Sequence, residues 1–130
     1  LILLDTHVVV WLLGSPGRLS QLAKDAIKEA HQRKAVIAVS SQSLYETARG
    51  VVRGRIQTHI PVEVFLREIE SRFSVLPLTR EIALLAASFP SPFPGDPADR
   101  IIAATALAEG FSLVTADENI RRSGLVRIIW

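Results

Sequence analysis

The chain has 130 residues, 48% of them hydrophobic and 22% charged, and no apolar run approaches the ~18 residues of a membrane-spanning helix, so a disordered polyelectrolyte and a helical membrane protein are both excluded. It has no cysteine, which removes disulfides, thiolate catalysis and thiolate metal sites together. The net charge of +2 is small, but twelve of the fifteen basic residues are arginine, whose guanidinium suits bidentate phosphate contacts; this permits a nucleic-acid partner without requiring one.

Leu1–Leu4 reads as a buried strand ending at Asp5, and Thr6 is placed to cap a helix through Val8–Leu13 that Gly14 and the Ser15-Pro16-Gly17 turn stop. The opening segment carries Asp5 and His7 and has no basic leader, so a secretory signal is not expected and a cytoplasmic location is. Ser20 to Arg33 has helical spacing, Ala35–Val39 is a second apolar strand, and a helix follows from about Gln42 to Arg53. Pro61 suits the first turn of a helix over Val62–Arg72. Phe73–Leu78 predicts a third strand, and Thr79 a cap for the helix Arg80–Ala87. The proline-rich segment 89–95 reads as a loop. Asp96-Pro97 starts a helix that Gly110 ends after Glu109. Ser112–Thr115, a short helical turn at Glu118–Arg122 and a strand at Val126–Ile129 complete the chain.

Strands alternate with helices, and the strands are continuous apolar runs, which predicts a parallel sheet covered on both faces. No repeat or linker divides residues 1–130, so a single domain is expected. In such sheets ligands bind beyond the carboxyl ends of the strands, near the point where strand order reverses. Four acids map to such places: Asp5 after the first strand, Glu46 early in a helix, Asp99 in a first helical turn and Asp117 past the fourth strand.

Clustered carboxylates repel one another unless protons or a cation intervene. Oxygen ligands without thiolates or paired histidines point to Mg²⁺ or Mn²⁺, and a metal-bound water is a nucleophile suited to a phosphodiester. Each acid except Asp5 also has a structural reading. Ser43-x-x-Glu46 fits a capping box, Asp96-Pro97-x-Asp99 an N-cap with an acid at the third helical position, and Asp117 an N-cap. Asp5 closes a buried strand with no glycine turn beside it, and a site role is the better account of it.

Leu-Leu-Asp5-Thr-His, Ser43-Leu-Tyr-Glu46, Asp96-Pro-Ala-Asp99-Arg-Ile-Ile-Ala-Ala-Thr-Ala and Leu-Val-Thr115-Ala-Asp117-Glu-Asn, in this order along the chain, together resemble a PIN domain. They are most similar to the VapC toxins of bacterial and archaeal toxin–antitoxin pairs. The resemblance implies a three-layer α/β/α sandwich with the first strand central in a parallel sheet. It implies Mg²⁺- or Mn²⁺-dependent endoribonuclease activity on structured RNA such as tRNA or rRNA, a homodimer, and a cognate antitoxin whose C-terminal segment covers the acidic groove. Carried over by motif, the metal-binding and catalytic acids are Asp5, Glu46, Asp99 and Asp117, with one ion or two left open. Thr115 matches the hydroxyl that helps to hold the metal or its water, and Asp96 is a helix cap first and a helper of the site second. Relatives often carry a basic residue one turn after the glutamate, where this chain has Gly50; Arg49, Arg53 and Arg55 are the candidates for that role in RNA binding.

Among the remaining residues, Arg100 fits either a pair with a neighbouring carboxylate or a substrate contact, and His7 a structural role or the orientation of a carboxylate. Trp11 reads as core or dimer interface, and Ile101 and Leu107 as core. Two other functions fit acids at strand ends. A phosphatase or receiver-like domain would need a late lysine, but the last one is Lys34, and no Asp-x-Asp follows the first strand. A PIN-like module that only binds would be expected to have lost some of its acids, and all four are present.

Overall fold

A computed structural model describes residues 1–91 and 93–130; Pro92, inside the predicted 89–95 loop, lies outside the described residues. Thirteen elements follow one another: β1 Ile2–Leu4, α1 Thr6–Gly14, a 3-10 turn Pro16–Arg18, α2 Gln21–Gln32, β2 Ile37–Ser40, α3 Ser41–Val52, α4 Val62–Arg72, β3 Ser74–Leu76, α5 Arg80–Ser88, α6 Pro97–Glu109, β4 Ser112–Val114, α7 Glu118–Ser123 and β5 Ile128–Ile129. The strands form one fully parallel sheet in the order β3-β2-β1-β4-β5. The expected α/β sandwich with β1 at its centre is what the chain adopts.

Side-chain alternation along the strands builds the three layers. Ile2 and Leu4 of β1, with Val39 and Val114, enter a core completed by Val8 and Val9 of α1, Ala23 and Ala30 of α2, and Phe65 and Ile69 of α4. Leu3, Ala38 and Leu113 point the other way, against Ile82 of α5, Ile102 of α6 and Ile120 of α7. The central strands are buried on both faces, which is why they read as unbroken apolar runs.

Several boundaries differ from expectation for local reasons. Lys34 adopts φ 54° and the Ala35 N–H donates to the Ala30 carbonyl, so Ala35 and Val36 belong to the exit from α2 and β2 begins at Ile37. Phe73 closes α4 through its N–H to the Ile69 carbonyl, and Pro77 has no N–H to extend the ladder, so β3 keeps only Ser74–Leu76. Pairing of β5 is limited to Ile128 and Ile129. Leu107, expected in the core, is 42% exposed, whereas Ile101 packs against the α5–α6 side of the sheet. No helix among the described residues is long and apolar enough to cross a membrane.

The route β1–β2–β3 runs outward on one side, and the chain then returns past β1 to place β4 on the other. Strand order therefore reverses between β1 and β4, and the crevice beyond their carboxyl ends is where a ligand fits.

Candidate active site

Asp5 follows β1 directly and is 4% exposed. It, not Thr6, is the N-cap of α1: its Oδ1 accepts the Thr6 N–H at 2.8 Å. Its Oδ2 accepts the Thr115 hydroxyl at 2.7 Å, and the Thr115 Oγ1 in turn accepts the Asp117 N–H at 3.0 Å. One buried hydroxyl thus ties the acid after β1 to the acid after β4. His7 adds a second tie. Its Nε2 accepts the Ala116 N–H at 3.0 Å, and its Nδ1 lies 3.6 Å from Asp5 Oδ2.

Thr6 is free for another task because Asp5 caps the helix. Its Oγ1 lies 2.5 Å from Glu46 Oε1 and 2.8 Å from Ser43 Oγ. With a single proton it donates to the carboxylate and accepts from Ser43. The capping-box reading of Ser43 and Glu46 does not hold, since α3 starts earlier, at Ser41, and Ser40 caps it by accepting the Gln42 N–H. Ser43 is instead buried within the helix, and Glu46 projects from its second turn. From the sequence, Thr6 and Ser43 had only helix-capping roles and none in the site; the hydroxyl after Asp5 and the serine three before Glu46 were the available signals.

Asp96 caps α6, its Oδ1 accepting the N–H groups of Ala98 at 2.8 Å and Asp99 at 3.3 Å, and Asp117 caps α7 by accepting the Ile120 N–H at 3.0 Å. Asp99 has no such engagement: its carboxylate accepts no hydrogen bond among the described residues. Burial, and then the charges of Asp5, Asp96, Asp117 and Glu46, push its pKa from 3.8 up to about 7. Glu46 is also raised, by burial first; the Thr6 hydrogen bond opposes the shift, Asp5 and Asp96 add to it, and Arg49 opposes it. Both shifts come first from burial and then from the neighbouring carboxylates.

These residues share one groove of about 800 Å³, lined by Asp5, Glu46, Asp96, Asp99 and Asp117 at one part and by Arg49, Arg53, Arg55, Arg18 and Trp11 elsewhere. Thr115 is fully buried beneath it. Among the described residues no three acids or histidines lie close enough together to enclose an ion unaided. The all-oxygen donor set and its excess negative charge fit a hard divalent ion that keeps much of its water shell and takes only a few carboxylates directly.

Gly50 sits where a basic side chain was expected. A Cβ there would come within 2.5 Å of Ile56 Cδ1, because the chain after α3 turns at Gly54 and folds back. The Gly50 carbonyl accepts the N–H groups of Arg55 at 2.8 Å and Ile56 at 3.0 Å. Arg55 is thereby returned to the groove beside the missing side chain. Arg100 neither pairs with an acid nor faces the groove's acids as a ligand would. Its guanidinium donates to the carbonyls of Pro94, Ala86, Phe89 and Phe93 at 2.9–3.4 Å and so pins the loop that leads into α6. Trp11 is half-buried at the edge of the α1–α2 core and contacts His7 and Trp130.

A family model for the PIN domain matches residues 2–124. The chain is 41% identical over 120 residues to Ribonuclease VapC22 of Mycobacterium tuberculosis, spanning 92% of this chain and 89% of that protein. Among solved structures, VapBC2 from Rickettsia felis bound to a DNA fragment from their promoter aligns with a TM-score of 0.74 at 18% identity, over 98% of this chain and 96% of that one. VapBC-1 from nontypeable Haemophilus influenzae aligns with a TM-score of 0.75 at 16% identity, over 98% and 95%. At these identities the structural likeness is one of fold.

Proposed function

The chain belongs to the PIN-domain family, and on that footing we propose that it is the endoribonuclease toxin of a toxin–antitoxin pair, a single cytoplasmic domain over residues 1–130 that hydrolyses RNA phosphodiester bonds with Mg²⁺ or Mn²⁺. The observation that carries this reading is the meeting of Asp5, Glu46, Asp99 and Asp117 in one groove at the sheet's reversal point, with Asp99 raised to about 7. The likeness to Ribonuclease VapC22 supports RNA as substrate, and the likeness to VapBC complexes supports a cognate antitoxin. Structured RNA such as tRNA or rRNA, and a homodimer, are the finer parts of the same proposal.

Asp5, Glu46, Asp99 and Asp117 would hold the ion, which when bound supplies an acidified water and neutralises charge on the phosphoryl oxygens. Thr115 and the Thr6 N–H fix both oxygens of Asp5, so this carboxylate is oriented before any ligand arrives. The Thr6 hydroxyl orients Glu46 in the same way. Asp99, without hydrogen bonds, is the acid able to turn toward an ion or hold a proton when none is present. Arg49, Arg53 and Arg55 bind the RNA backbone, and Asp96 sets the direction of the first turn that carries Asp99.

Cleavage of RNA by the purified chain should require Mg²⁺ or Mn²⁺ and stop on chelation. Asp5→Asn keeps an acceptor for the helix cap but should lower the rate by at least on the order of 100-fold, the scale for one preorganised electrostatic group. Undiminished cleavage by a folded Asp5→Asn chain would sink the assignment. Calorimetric titration of Mg²⁺ into the parent and Asp99→Asn separates an enzyme from a silent binding module, which would give no metal-dependent heat in either.

A further inference from the structure

Arg18 is the one arginine of the groove that does not come from the α3 side, and its surroundings differ from those of the others. The chain leaves α1 at Gly14, turns through Ser15-Pro16-Gly17, and is secured by hydrogen bonds from Ser15 N–H to the Trp11 carbonyl at 2.7 Å and from Arg18 N–H to the Ser15 carbonyl at 3.0 Å. The next residue, Leu19, is 5% exposed and locks the turn into the α1–α2 core. The turn lays the Arg18 guanidinium over the Trp11 indole, with Cζ 4.2 Å from the ring centroid. The indole is itself braced by Trp130 and His7, at centroid distances of 5.9 and 4.9 Å. Arg18 forms no ion pair among the described residues, although its side chain borders a groove that holds five carboxylates.

A guanidinium stacked on an aromatic face has one face covered and its N–H edge free, the edge that grips a phosphate bidentately. The stack also fixes most of the side chain's rotamers in advance, so less freedom is lost when an anion binds. We propose that Arg18, held on Trp11, is a second phosphate subsite for the RNA strand, on the α1 wall of the groove, distinct from the α3 arginines. The acids then share one groove with two cationic anchors, one from the α1 side and one from the α3 side. The proposal rests on the ribonuclease reading. A peptide rich in carboxylates is the competing ligand; the ribonuclease reading favours the phosphodiester, whose backbone must pass along this groove to reach the acids.

Binding of a short, mixed-sequence, fluorescein-labelled single-stranded RNA to the chain in chelator, read by anisotropy over a salt series, tests this without cleavage. Arg18→Ala should weaken binding roughly fivefold and flatten the slope of log K against log salt by about 0.7, the value for one phosphate contact on a single strand. Arg18→Lys should keep the slope while losing part of the affinity, because a lysine retains the charge but not the stack. In Mg²⁺, Arg18→Ala should raise KM with kcat kept. Arg18 is exposed, and an unchanged melting curve will show that the variants are folded. Parental affinity, slope and KM in Arg18→Ala overturn the subsite while leaving the ribonuclease reading intact if the parent still cleaves. Weaker binding of a co-expressed antitoxin with RNA binding untouched assigns Arg18 to a protein interface, and overturns it too. A parent chain that neither binds nor cleaves RNA overturns both readings.

Discussion

On the outer helices Arg33, Arg67, Arg72 and Arg122 each pair with a glutamate four residues earlier, whereas Arg18, Arg49, Arg53 and Arg55, around the groove, form no ion pair among the described residues. The difference is written in the spacing. Four residues before the groove arginines stand Gly14, Tyr45, Arg49 and Val51, none of them acidic. The acid four residues earlier that quenches an outer arginine is therefore missing by composition; Arg49 feels Glu46 three residues before it without forming an ion pair, and Arg18 rests on Trp11. A net charge of +2 conceals this arrangement, because the outer pairs cancel locally while the groove sets a positive wall against a negative floor.

The sharpest way to break the contrast is to remove each set in turn. Arg49→Ala, Arg53→Ala and Arg55→Ala combined should flatten the salt dependence of RNA binding by about 2, since each phosphate contact contributes about 0.7 on a single strand. The matching outer triple, Arg33→Ala, Arg67→Ala and Arg72→Ala, should leave the slope near its parental value; equal losses from both triples would show that only overall charge counts.

Arg100 sharpens the contrast from inside, as a cation whose partners are carbonyls rather than acids. Arg100→Ala orphans the loop carbonyls and should destabilise the fold by about 2–3 kcal/mol in chemical denaturation, with Arg100→Lys recovering only part because an ammonium cannot span the same fork. No change in stability would mean that water serves those carbonyls equally well.

The negative floor gives a pH signature. Asp99, raised from 3.8 to about 7, keeps its proton in the cation-free folded chain where the unfolded chain has released it. Its contribution to stability is thus full below pH 3.8 and is lost as pH rises through about 7. The melting temperature of the cation-free chain should carry a falling component across this window, reduced in Asp99→Asn to what the raised Glu46 contributes, and added Mg²⁺ should oppose it. At the small end, Arg67→Ala removes an exposed pair with Glu63 and should cost only about 0.3–0.5 kcal/mol.

The outline of the fold was legible because β1, β2 and β4 are buried on both faces and flanked by glycine and capping signals that survive in the structure, among them Ser20, Thr79, Asp96 and Gly110. Edge elements were less so: β3 and β5 have few ladder partners, so proline, helix exits and turns decide their ends rather than apolar length. Within the candidate site, the motifs named the four acids, but not who orients them. Asp5 was read as a strand terminus, and nothing local said that it would displace Thr6 from the cap and free that hydroxyl for Glu46 on a helix forty residues away. The role of Arg100 was equally hidden, since its acceptors are main-chain carbonyls, which no side-chain pattern encodes.

The Thr115 hydroxyl, receiving one N–H and giving its proton to Asp5, joins the two strands at the middle of the sheet. The Asp5 end of that link is buried at the carboxyl ends of β1 and β4, so opening it disturbs packing at the centre of the sheet. The amide of Asp117, bonded to this buried hydroxyl, should therefore exchange its hydrogen more slowly than the amides of the first turn of α6 around Asp99, which exchange through local fraying. One side of the acidic groove is thus tied to the centre of the sheet, and the other can breathe to admit a ligand.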